Sequence, residues 1–128
     1  MSVVTITPLN ISALETGLNI TAATAVTDGE NGCTIAPTRK NEQLLIELVA
    51  DGSNDTDFTF EQGDGYAATQ DKLIAVPAGE SHFVQVEFGR FLNTTGTYKG
   101  KIHITVANNA DSAVAEDGAS VRCFQTYL

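Results

Sequence analysis

Tryptophan is absent from this chain and cations are scarce, and each shortage removes a class of work. Without an indole there is no clear aromatic platform of the kind a sugar-binding module offers, although Tyr66, Phe91 and Tyr98 fall near expected loop ends. Lysine and arginine number 7 against 16 acidic residues, a formal charge of −9. Nucleic-acid binding draws its affinity from basic side chains on phosphates, and the sequence clusters them only at Arg39-Lys40. Direct contact with DNA or RNA is therefore not expected. The acidity serves solubility in the plainest account; in a sharper one it faces away from packaged nucleic acid or docks on a basic protein surface.

Long apolar runs are missing too. Nothing approaches the roughly 20 residues of a membrane-crossing helix, so no membrane contact is expected. The N-terminus lacks a basic stretch followed by an apolar one, so no secretory signal is expected and synthesis is placed in a cytoplasm. Only two cysteines occur, Cys33 and Cys123, both in apolar, strand-like surroundings. Packing as small hydrophobes is the simpler account of them, and whether they pair stays open.

What the chain does have is alternation. With 128 residues, 42% of them hydrophobic, it is long enough for one domain that buries about two-thirds of its unfolded surface. Leu44, Ile46 and Leu48 fall on one side of a strand; Leu45, Glu47 and Val49 fall on the other, only half polar, as in a strand central to its sheet. Phe58 and Phe60 point inward from the next strand. Leu73 to Val76 is a short apolar strand, and Pro77-Ala78-Gly79-Glu80 a tight turn, because proline fixes φ and glycine accepts a positive one. Beyond it His82, Val84, Val86 and Phe88 share a face opposite Ser81, Phe83 and Gln85. The two strands are expected to form a hairpin. Ile102, Ile104 and Val106 alternate with Lys101, His103 and Thr105, and a last strand begins near Ala119.

Earlier, Met1 to Pro8 reads as an extended arm or an edge strand, Leu18–Thr24 as a strand after a loop, and Cys33–Ala36 as a short strand stopped by Pro37. Ala113-Val114-Ala115 offers a local pairing. About eight strands spaced near ten residues, with almost no helical period, predict an all-β fold: a single antiparallel β-sandwich over residues 1–128, Ig-like or jelly-roll-like.

Chemistry is hard to place. Neither His82 nor His103 has a histidine or cysteine at ligand spacing, and Ser81 beside His82 points to the opposite face of its strand. His103 falls on a polar face and is expected to be solvated. The stretch Asp51 to Asp57 has the oxygen density of a calcium loop, but Thr56 and Gln62 stand where an EF-hand needs glycine and glutamate; punctuation between strands is the simpler reading. Gly63-Asp64-Gly65 lacks the lysine and helix of a phosphate cradle. No catalytic residue, cofactor or metal is expected, and an enzyme is the least supported class.

The succession Leu44-Leu45-Ile46-Glu47-Leu48, Phe58-Thr59-Phe60, Gly63-Asp64-Gly65-Tyr66, Val76-Pro77-Ala78-Gly79-Glu80, Gly89-Arg90-Phe91 and Gly100-Lys101-Ile102-His103-Ile104 resembles a family of small tailed-phage capsid decoration (auxiliary head) proteins. The likeness covers roughly Ile35 to Val106. It implies a structural bacteriophage protein on the capsid surface of the virion, with the major capsid protein as partner and a homotrimer favoured by three-fold positions. A phage tail or baseplate β domain and a carbohydrate- or host-surface-binding module are the alternatives. For partner contact the sequence suggests Phe88, Arg90 and Phe91, with Phe91 partly exposed at one end of the sandwich, helped by Val3, Val4 and Ile6 of the arm; the plainer account has Phe91 plugging the bottom of the core and Arg90 paired with a nearby carboxylate.

Overall fold

Two sheets face each other across an apolar core. The computed structural model describes residues 3–11, 22–27, 31–37, 44–64, 70–86, 88–108 and 119–126. The described strands are β1 (Val4–Ile6), β2 (Leu9–Ile11), β3 (Thr24–Ala25), β4 (Cys33–Ile35), β5 (Leu44–Val49), β6 (Thr56–Phe60), β7 (Lys72–Val76), β8 (Ser81–Val86), β9 (Ile102–Asn108) and β10 (Ser120–Thr126). A single helical turn, α1 (Phe88–Phe91), follows β8. The first sheet runs β1-β4-β9-β6-β7; the second runs β2-β10-β5-β8, with β3 also on β10. The expected Leu18–Thr24 strand lies mainly outside the described residues, as does Ala113–Ala115.

The alternation read from the sequence places the faces correctly. In β5, Leu44, Ile46 and Leu48 are fully buried while Leu45, Glu47 and Val49 are half-buried, as befits a strand flanked by β10 and β8. Phe58, Phe60, Ile102, Ile104 and Val106 close the core from the first sheet. The thiols of Cys33 and Cys123 are free and buried, one on each sheet. Burial pushes both up to about 12, with Cys123 adding to the shift on Cys33, so both stay protonated and pack as small apolar groups.

Two expectations need correction. The strands flanking Pro77 do not form a hairpin: β7 pairs with β6 in the first sheet and β8 with β5 in the second. The turn itself is as read, with Glu80 N–H donating to the Pro77 carbonyl at 3.0 Å and Gly79 at φ 77°, but it carries the chain from one sheet to the other. The loop from Asp51 crosses in the reverse direction beside it. Gly79 N–H donates to the Asp51 carbonyl, Ala50 N–H to the Glu80 carbonyl and Ala78 N–H to Asp55 Oδ1, so the two crossings form one cap.

The N-terminal segment departs from the antiparallel pattern. β1 runs parallel to β4, and after Pro8 the chain changes sheet so that β2 runs parallel to β10. Val4–Ile6 is thus an edge strand, and Ile6 belongs to the core at 2% exposure. This one segment supplies an edge of both sheets and closes that side of the sandwich. Among the described residues the opposite side, between β7 and β8, is joined at the Pro77 turn.

Candidate binding groove on the open side

Away from that turn the free edges of β7 and β8 part, and a groove of about 290 Å³ opens between them. The alternation that buries Phe60 also turns Ile74 and Lys72 inward, because Phe58 stands opposite Ile74 and Phe60 opposite Lys72. Val84 and Val86 face them from the second sheet, and Phe91 of α1 closes the end. Together with Phe60 these side chains make an apolar floor. Lys72, Arg90, Gln70 and Gln85 form its polar margin. No carboxylate is among the described lining residues.

Two of the chain's seven cations therefore frame one apolar opening in an acidic molecule. Neither Lys72 nor Arg90 makes an ion pair among the described residues, whereas Arg122 is paired with Glu47 at 2.7 Å on the outer face of the second sheet. The Arg90 guanidinium lies 5.3 Å from the centroid of the Phe91 ring, which holds the charge over the floor. The two large hydrophobic side chains left exposed among the described residues, Leu73 at 53% and Phe83 at 57%, sit on these same edge strands but on the outer faces of the two sheets, Phe83 beside Phe124.

Arg90 is positioned from below by Gly63 and Asp64. Gly63 N–H donates to the Arg90 carbonyl at 2.9 Å, and a Cβ on Gly63 would stand 2.3 Å from the Leu92 carbonyl oxygen. Only glycine allows that approach. The Asp64 carboxylate accepts four hydrogen bonds, from the backbone and hydroxyl groups of Thr94 and Thr95, at 2.6 to 3.2 Å. These donors hold its pKa far below the usual carboxylate range. The Gly63-Asp64 pair is thus a latch on the segment after α1. Nothing in its own composition pointed there, since its partners lie some thirty residues on.

The residues suggested for partner contact are only partly united. Ile6, Ile35, Ile102 and Leu92 lie in a row across one end of the first sheet through successive pairings, so the arm and α1 do share an end. Three strand spacings, about 14 Å, separate them. Of the two readings of Phe91, the plug in the core is the one found. It is 5% exposed and packs on Phe60 at 5.7 Å between ring centroids, because the segment latched by Gly63 folds it back under the core. Ile6 is buried, Val3 and Val4 are half-buried, and the side chain of Phe88 lies outside the described residues. Arg90 is the member that reaches an open surface.

The histidines differ from each other. His82 pairs with Glu80 at 3.0 Å on the surface. His103 is not solvated as expected: it is 5% exposed, with Nδ1 2.8 Å from Glu61 Oε2 and Nε2 2.7 Å from the Asn31 carbonyl. Tyr98 stacks on it at 4.1 Å, and that cover is what the strand's alternation could not announce. In the Asp51 loop the carboxylate accepts from Ser53 N–H and Asn54, and Thr56 Oγ1 accepts from Asp51 N–H, so the loop's oxygens serve its own turns. Among the described residues no three His, Cys, Asp or Glu side chains gather as a metal site would require.

Comparison with protein-family models, with curated proteins and with solved structures returns no match to this chain.

Proposed function

We propose that the protein is a structural virion component that binds the outer surface of a tailed-phage capsid and stabilises the shell. The observation that carries this reading is where the family-like segments fall. They fall on β5, β6, the Pro77 turn, α1 and the start of β9, and so supply the turn at the capped end and Phe60, Arg90 and Phe91 of the open groove. Supporting it is the division of charge: an acidic body with two uncommitted cations at one opening suits an oriented attachment to a protein lattice. A protein that binds only the assembled lattice stabilises that lattice by mass action.

The test is to mix purified protein with capsids that lack it and measure what sediments with the particles. Saturation at a fixed fraction of the capsid subunit number, with capsids then surviving higher temperature or lower salt, is the expected result. A copy number of a few per particle would place the protein on the tail instead. No cosedimentation across 50 to 300 mM salt would end this reading.

A further inference from the structure

We infer that the open side of the sandwich accepts an extended segment of a partner protein, which adds to the free edge of β8 and lays one face into the groove, apolar along its length and acidic at the end beside α1. The inference rests on the proposed function for who the partner is, but not for the groove itself.

Three observations converge on this occupant. First, among the described residues β8 is the last strand of its sheet, paired with β5 alone, so one line of its backbone groups faces outward beside the groove. An added strand would continue the second sheet across the opening, and every second side chain of it would meet Phe60, Ile74 and Phe91. Second, Lys72 points inward from the facing edge strand β7, and Arg90 is held over Phe91. An inward charge on an edge strand ordinarily guards it against indiscriminate pairing. Here Lys72 and, from α1, Arg90, with no carboxylate among the described lining residues, reject strands whose inward face is wholly apolar or basic and admit one that brings an acid on that face, which is how a guard becomes a selector. Third, Phe83 stands exposed on the outer face of β8, where an outward side chain of the added segment would lie beside it and cover it. A second copy of this chain is a poor occupant, because it would bring two bodies of charge −9 together edge to edge.

Fluorescence anisotropy with short labelled peptides, in the absence of capsids, tests this. The probes are Asp-Thr-Val-Thr-Phe-Thr-Asp, in which the acids share one face with valine and phenylalanine, the same peptide with lysine for aspartate, and the acidic peptide with proline replacing its phenylalanine. The acidic peptide should bind the wild type at least tenfold more tightly than either of the others. Lys72→Glu and Arg90→Glu should each weaken it about tenfold or more, while Lys99→Glu, at an exposed cation outside the groove lining, should leave it unchanged. Thermal melts establish that each variant is folded. Equal binding of acidic and basic peptides, indifference to both charge reversals, self-association through this side, or binding of dodecanoate but of no peptide would each overturn the inference. If peptides fail while capsids still bind, the groove assignment falls and the virion reading stands; if peptides bind and capsids do not, the reverse holds.

Discussion

Single residues show how far a two-residue period reaches and where it stops. Alternation sorted Leu44, Ile46, Leu48, Phe58 and Phe60 into the core because each lies in a regular strand, where neighbours must point to opposite faces. It misplaced His103, correctly facing it away from the core but without the Tyr98 ring that covers it. Asp64 was invisible for a related reason: its four donors come from Thr94 and Thr95, and no local pattern links two loops so far apart. Its effect can be measured. The folded-state pKa of Asp64 lies below its unfolded value, so the latch contributes stability above the ordinary carboxylate range, and that contribution is lost as pH falls from about 4 towards the depressed value. Urea unfolding of the wild type and Asp64→Asn should therefore differ by a constant amount between pH 7 and 5, and the gap should narrow below about pH 4. A gap unchanged down to pH 3 would mean that the carboxylate charge adds nothing.

At the level of elements, turn chemistry was legible but destination was not. Pro77 and Gly79 announce a tight turn, and the structure has it, yet a turn's dihedral angles are the same whether the next strand pairs with the last or crosses to the other sheet. What decides the crossing is the neighbouring loop at Asp51, which offers the Asp51 carbonyl and Asp55 side chain to the turn's N–H groups. The N-terminal arm is the same lesson in another form. Val3-Val4-Thr5-Ile6 has strand character, but only the three-dimensional pairing with β4 shows that it is an edge of the sandwich and not a free tether. Its removal is thus a change to the fold before it is a change to any interface. Ile6→Ala should cost about 2–5 kcal/mol in a urea titration, as expected for a buried isoleucine, and deletion of residues 1–7 should cost more. A loss under about half a kcal/mol for Ile6→Ala would show that β1 is not integral, and would restore the arm as a candidate tether.

The whole molecule is dominated by pairings between distant stretches, and these are what a reading of local pattern cannot supply. Cys33 meets Ile104 across the β4–β9 pair, and Ile46 meets Cys123 across β5–β10. The parallel partner of β1 lies 29 residues along the chain (Val4 to Cys33) and that of β2 115 residues along it (Leu9 to Phe124). One region is more self-contained. Between Leu44 and Val86 lie the β6–β7 hairpin, the β5–β8 pair and the two crossings that bond to each other, so half of each sheet can be outlined without the chain's ends. Closing a loop costs entropy before its contacts return any stability, which favours this region as the early structure and makes folding slow, on the order of milliseconds to seconds. Ile46→Val, Phe58→Leu and Val76→Ala should then slow refolding by most of their equilibrium loss, whereas Ile6→Val, Ile35→Val and Val121→Ala should chiefly accelerate unfolding. Stopped-flow refolding and unfolding in urea separates the two sets. If the terminal set slows refolding as strongly as the central set, the sandwich condenses as one unit, and the 44–86 region has no kinetic precedence over the strands that close around it.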